Sequence, residues 1–492
     1  MKYLLTLTAR YDGISRLVDN RWGFFPGVSA GWNVMEEEFF KESPISDYVS
    51  NLKPRISYGV NGNVSAIGNF EAYGIYGQTK DYAGTTGFQS GYESNGAFIG
   101  LMNSKLRWEQ SQTFEVGLDF SFFNNRLSFI ADYYDRRTKD LLTSLALPGY
   151  TGYNSITTNL GILRNYGFEL EVKANILQLK NGFTWDMSAN VSTVANKVVK
   201  LPYNGNERNR QGGVQVWNPE KGALAWLGGI EEGGKLGVLY GYKQEHIFKD
   251  WDDVKAKANK RLDHVASLYG PGLADEYKDK KGWQPIEPGD VCWADLNNDG
   301  IIDGKDRVEI GNIFPNVTGG FSTTLGYKGL SLYARFDYAL GHTIYNDLAA
   351  RSLGQYQGSF NIIDMVKDTW SETNSSSDLP KFYYADQLSK KNITRSNNAN
   401  TAANNNSSRF YEKGDYMALR ELTLSYALPS RWIRKASMQE ATVSITGQNL
   451  FYITGYTGVS PEPAVSNYYG RGIDNGRYPT PRTVLFGLSV TF

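Results

Sequence analysis

The sequence has one cysteine, three histidines and no apolar run long enough to cross a bilayer as a helix. Each shortage removes a class of answer. The single thiol, Cys292, is read as excluding an intramolecular disulfide framework and any Cys-based metal cluster, and its plain reading is a free thiol without a role. His246, His264 and His342 stand apart, none at zinc-type spacing from another. No nucleophile elbow and no phosphate-cradling glycine loop occurs. A helical span needs about 18 consecutive apolar residues, and the mean hydropathy of −0.44 fits their absence. That absence is silent on barrel strands, which alternate and therefore average out as polar. An excess of one charge sign is also missing, with 51 basic against 51 acidic residues. No concentrated basic surface is offered to nucleic acid. The first ten residues lack the apolar core of an export signal, because Thr6 and Thr8 interrupt it and Arg10 and Asp12 follow at once.

What is abundant is Tyr (33), Phe (24) and Gly (52), with aromatics at 14%. Many turns and rows of interface aromatics have this composition. Alternation supplies the strands. In the last eleven residues Val484, Phe486, Leu488, Val490 and Phe492 share one parity, and Thr483, Gly487, Ser489 and Thr491 the other, with Leu485 the intruder. In a strand expected at 330–341, Leu330, Leu332, Ala334, Phe336, Tyr338 and Leu340 alternate with Ser331, Tyr333, Arg335, Asp337 and Ala339. Alternate side chains of a strand lie on opposite faces, so each strand has an apolar and a polar side. Further strands are expected at 2–11, 21–33, 53–61, 114–120, 127–141, 163–174, 183–194, 315–327, 415–427 and 440–452. A short helix or turn is expected at 36–50, a helix at 362–370 and a flexible Asn/Ser tract at 397–408. The apolar faces are too long and numerous for a soluble sandwich, whose strands run about 5–6 residues. The expected fold is all-β: an antiparallel transmembrane β-barrel with about twelve spanning strands and long extracellular loops. If the terminal strand descends to the periplasm, the long segments 62–105, 195–313 and 344–414 all fall outside. The β-like stretch 237–248 then belongs within an outer loop. Only 34–52, the expected helix, is a long segment on the periplasmic side.

Candidate chemistry is sparse. Asp295, Asn297, Asp299, Ile301, Asp303 and Asp306 follow calcium-loop spacing, with Gly300 sixth and Ile301 offering its carbonyl. Asp306 is shorter than the usual bidentate Glu, and a strand rather than a helix is expected after it. The alternative is a polar loop shaped by side-chain-to-backbone bonds. Loop aromatics Trp217, Trp226, Tyr240 and Tyr242 are candidate ligand contacts. Glu115 and Asp119 could be imagined as an acid/base pair; a solvated lumen face explains their alternation better.

The ordered blocks 10–13 (RYDG), 106–109 (LRWE), 132–134 (DYY), 159–161 (NLG), 165–169 (NYGFE), 288–290 (PGD), 420–426 (RELTLSY), 447–451 (GQNLF), 460–462 (SPE) and 478–482 (YPTPR) resemble SusC/RagA-type TonB-dependent outer-membrane transporters. The variant run 416–419 (YMAL) departs from the family, which more often carries an arginine there. The resemblance covers the family's C-terminal half. It implies part of a larger barrel, with plug, TonB box and signal peptide not among these residues, in the outer membrane. It further implies import of a glycan or peptide without catalysis, no required cofactor, a SusD-like surface lipoprotein as partner, TonB acting only through the missing plug, and Phe492 as the signal read by the barrel-assembly machinery. A passive pore or adhesin, or a soluble extracellular glycan-binding module or enzyme, are the rival readings.

Overall fold

The computed structural model describes residues 1–69, 103–147, 155–350, 352, 364–382, 407–434, 437–462, 472–476 and 478–492, and the strands Tyr76–Lys80 and Thr86–Ser90. Twelve strands form one antiparallel meander: β1 (Tyr3–Gly13), β2 (Trp22–Trp32), β3 (Val49–Asn63), β4 (Glu109–Phe122), β5 (Leu127–Ala146), β6 (Ser155–Gln178), β7 (Phe183–Thr193), β8 (Val317–Tyr327), β9 (Leu330–Leu340), β10 (Tyr416–Ala427), β11 (Glu440–Thr454) and β12 (Thr483–Thr491). Spatial order follows chain order, and β1 and β12 are the sheet's two edges. A further strand, Ala195–Lys200, pairs with the far half of β6.

The two faces differ as alternation requires. Val116 sits across from Ile56 on one side and Tyr133 on the other. Ile445 faces Phe486, and Val443 faces Leu488. These apolar rows are uncovered: Leu5 is 70% exposed, Val116 45% and Phe486 82%. In water such a surface would drive association. Against lipid tails it is the stable arrangement, because the strands between the two edges already have their backbone groups paired within the sheet. Aromatics gather at its borders. Tyr3, Trp32, Phe39, Tyr48, Phe123, Tyr327 and Trp432 are exposed at the short-turn end, and Tyr11 stacks on Trp22 at the other.

Short turns close one end. Lys328 and Gly329, both at positive φ, make the two-residue β8–β9 turn, as the strand twist favours. Asn124 and Asn125, also at positive φ, turn β4 into β5. The expected helix at 36–50 is broken into Val34–Glu36, Glu38–Lys41 and Pro44–Asp47. Glu37 ties it to the sheet by accepting bonds from Lys2, Tyr3 and Trp32. The expected helix at 362–370 is a 3-10 turn, Asp364–Asp368; residues 362–363 and 397–406 lie outside the described residues.

The long segment after β7 is more than a polar loop. Val238–Tyr242 pairs with Arg307–Asn312, and Gln244–Ile247 with Val291–Trp293. A helix, Trp251–Ala258, is capped by Asp250, whose carboxylate accepts from Asp253 N at 2.9 Å. Phe248, Val254, Ala258, Ala266, Leu268, Ile286 and Cys292 form its buried core. A second core joins Leu239 to Tyr345, Leu379, Phe410 and Tyr411 from the segment between β9 and β10. The two longest loops thus share one packed body. The stretch 237–248 stays off the main sheet, as the strand parity requires.

If the exposed parity meets lipid, a charge there is expensive. Val116→Arg, near the middle of β4, should cost about 2–4 kcal/mol in bilayers. Ser331→Arg, on the opposite face, should stay within about 0.5 kcal/mol. Urea unfolding of both variants in lipid vesicles checks this.

Candidate functional site

The polar face of the sheet is organised around two arginines. Arg55, on β3, donates to Glu115 at 2.8 Å, Asp119 at 2.9 Å and Asp132 at 2.6 Å. Lys53 lies 3.5 Å from Asp119. The reach across three strands depends on Gly117, which stands in register between Arg55 and Asp132. A Cβ there would lie 2.6 Å from the guanidinium carbon of Arg55. Arg420 sits at a bulge: both neighbouring strands skip it in register. A bulge re-aims a side chain. Arg420 reaches Asp337 at 2.9 Å and the Tyr452 hydroxyl at 3.0 Å, and pairs with Glu462. Opposite it on β11, Asn449 takes a positive φ. Glu115 and Asp119 share one guanidinium, which makes them an ion-pair row along a wet wall.

The four loop aromatics separate. Trp226 is 43% exposed, with the Arg210 guanidinium 5.1 Å from its ring. Trp217 lies on the same hairpin, Val214–Asn218 with Ala223–Leu227, and is half-buried, as is Tyr240. Tyr242 is a correction. It is 1% exposed, its ring packs edge-on against Trp293, and its hydroxyl accepts from Arg307 at 3.2 Å. It is core, and no ligand can touch it. Sequence reasoning missed a groove of about 410 Å³ in the same body, lined by Lys249, Trp251, Glu287, Trp370, Glu372 and Lys381. Its Trp251 is exposed at the start of the helix.

The 295–306 loop is held by its own side chains. Asp295 accepts from Gly300 N at 2.9 Å, Asn297 from Asp299 N at 3.2 Å, and Asp299 from Ile301 N at 2.8 Å. Asp303 caps the turn by accepting from Lys305 N at 2.7 Å. Asp306 is fully buried and spans the loop, accepting from Leu296 N at 2.9 Å and Asp303 N at 2.8 Å. Burial pushes its carboxyl above the usual range, against the pull of those two donors. The strand expected after Asp306 is present as Arg307–Asn312. One atom in the ring, Asp295 Oδ1, is buried without a hydrogen-bond partner.

The lone cysteine has company that spacing concealed. Cys292 is buried, and burial pushes its thiol up to about 11. Arg261 donates to its sulfur at 3.3 Å, and Glu245 Oε2 lies 3.8 Å from it.

Comparison with known proteins follows from this architecture. Residues 2–268 match the family described as TonB dependent receptor-like, beta-barrel. TonB-dependent receptor P3 of Formosa agariphila is 30% identical over 499 residues, covering 100% of this chain and 44% of its own length. The chain belongs to the TonB-dependent receptor β-barrel family. TonB-dependent receptor SusC of Bacteroides thetaiotaomicron is 29% identical over 497 residues, covering 100% of this chain and 42% of its own. Among solved structures, the RagAB peptide transporter aligns with a TM-score of 0.71 at 23% identity, covering 100% of this chain and 46% of that chain; the fold is shared. The chain spans less than half the length of these relatives. As a member of that family it is an outer-membrane protein, so the uncovered apolar rows meet lipid and the Arg55 and Arg420 rows face the lumen. The relatives are receptors and transporters by name, not enzymes.

Two expectations follow for the loop body. Asp306→Ala leaves two half-buried N–H groups, those of Leu296 and Asp303, without their acceptor, should cost about 1–3 kcal/mol in total, and should raise hydrogen exchange across 295–307 before the strands exchange. His342 is buried beside the Pro461 carbonyl at 3.4 Å, and desolvation holds its pKa below the ordinary value. A lowered folded pKa means its contribution is present above about pH 6.5 and is lost as pH falls through the folded value. Proteolysis of the chain after β11 should therefore quicken between pH 7 and pH 5, and His342→Gln should remove that dependence.

Proposed function

We propose that this chain forms barrel wall and outer loops of a SusC-like nutrient importer that takes glycans or peptides across the outer membrane. The observation that carries the reading is the pairing of a lipid-type twelve-strand wall with a folded, aromatic-bearing loop body at one end. The wall supplies the passage and the body supplies a surface for capture. In this reading the loop body faces the cell exterior, where a SusD-like lipoprotein would close over it. TonB would act through a plug outside these 492 residues, and the two open edges, β1 and β12, would pair with the remaining strands of the larger barrel. Phe492, directly after the edge strand β12, would be read by the assembly machinery.

Deleting the gene and following uptake of labelled oligosaccharides and peptides tests this. Uptake of one class should fall, and in the parent strain a protonophore should abolish it. Uptake that survives the protonophore would favour a passive pore.

A structural Ca²⁺ in the 295–306 loop belongs to the same proposal, supported by the buried, unpartnered Asp295 Oδ1. Millimolar Ca²⁺ should protect the loop from proteolysis in the parent and not in Asp295→Asn; equal cleavage with and without Ca²⁺ would remove the ion from the account.

A further inference from the structure

We propose that Glu245, His246 and Cys292 form a zinc-type metal site in the loop body, separate from the 295–306 loop. One ligand atom from each of the three lies within 4.8 Å of the others. A tetrahedral zinc ion accepts this donor set of thiolate sulfur, imidazole nitrogen and carboxylate oxygen, with water in the fourth position.

The local fold explains how sequence neighbours come to one side. Consecutive residues of a regular strand point to opposite faces. The ladder between Gln244–Ile247 and Val291–Trp293 shifts register between Gln244 and His246, and His246 then stands directly across from Cys292. The irregularity leaves Glu245 unpaired in the ladder, and its carboxylate swings to the Cys292 sulfur at 3.8 Å.

The imidazole is already oriented. His246 Nε2 lies 3.1 and 3.3 Å from the two carboxylate oxygens of Asp253, in the helix Trp251–Ala258. In the tautomer that donates Nε2–H to Asp253, the lone pair left for a metal is on Nδ1. A carboxylate behind a ligating histidine is the usual outer support of a metal site. Asp253 is itself held, accepting from Lys249 N at 3.1 Å. Charge also balances. With the ion absent, the Cys292 thiol, kept protonated by burial, feels one guanidinium, Arg261, and two carboxylates, Glu245 and Asp253. Binding a divalent ion releases the thiol proton to solvent, and the set Glu245, Asp253, thiolate, Arg261 and metal then sums to zero. Arg261, donating to the sulfur at 3.3 Å, would share the thiolate's charge.

The site has a part to play in the loop body. It joins two strands and, through Asp253, the helix around the core that contains Phe248, Val254 and Cys292. An ion there would fasten the body at its partly exposed rim, where Glu245 meets solvent.

The full chain in detergent, stripped with chelator, should bind one Zn²⁺. Cobalt(II) in its place should show a sulfur-to-cobalt charge-transfer band. Cys292→Ser should abolish that band. Asp253→Asn should weaken Zn²⁺ binding by roughly 10–100-fold while the band remains, and Asp295→Asn should change neither. Glu245→Gln, an exposed change that leaves the core intact, should also weaken binding. A cobalt spectrum with no sulfur band, or Zn²⁺ affinity indifferent to both Cys292→Ser and Glu245→Gln, would overturn the proposal.

Discussion

Backbone N–H and C=O groups cannot be left unpaired in hydrocarbon, and this constraint organises the protein. Each unsatisfied group there costs several kcal/mol, so every strand from β2 to β11 is flanked on both sides. Once the backbone is paired, alternation does the rest. One parity supplies Leu5, Val116, Ile445 and Phe486 to lipid, and the other supplies Arg55, Glu115, Asp119 and Arg420 to the lumen. The same constraint singles out the two edges, since β1 and β12 are each paired on one side alone among the described residues.

On the lumen side, charge is arranged in rows rather than scattered. Arg55 needs Gly117 to reach across β4 to Asp132, and Arg420 needs its bulge to reach Asp337, Tyr452 and Glu462. Both depend on a local departure from regular sheet geometry: a missing side chain in one, an extra residue in the other. Above the wall, the loop body is an ordinary small folded unit with a helix, short strands and buried cores. Its stability comes from burying groups such as Phe248, Val254, Tyr242 and Trp293, so the outer surface it presents is shaped and not slack.

How much of this was legible followed the range of the interactions. Strands with unbroken alternation were readable nearly to the residue: the expected 330–341 is Leu330–Leu340, and the expected 415–427 is Tyr416–Ala427. The first eight residues of β6, 155–162, were missed because Asn159 and Gly161 break the pattern, and pairing with β5 supports them. Tyr242 misled because an aromatic in a polar stretch looks the same whether it meets solvent or Trp293. The helix Trp251–Ala258 is short and buries only Val254 and Ala258, too few to give a period. Glu245 and Cys292 are 47 positions apart, and no spacing rule joins residues that meet through a register shift between non-neighbouring strands. The self-bonded half of the 295–306 loop was foreseen, since Asp and Asn side chains favour such turns.

The central claim is that one parity of the twelve strands meets lipid and the other meets water. Cysteine scanning along β9 reads it directly, in a Cys292→Ser background, with nitroxide labels in lipid bilayers. Labels at Leu330, Leu332, Ala334, Phe336 and Tyr338 should be relaxed by oxygen dissolved in the lipid, and those at Ser331, Tyr333, Arg335 and Asp337 by a water-soluble nickel complex, alternating residue by residue. A profile without that two-residue period, or water access on both faces, would contradict the account.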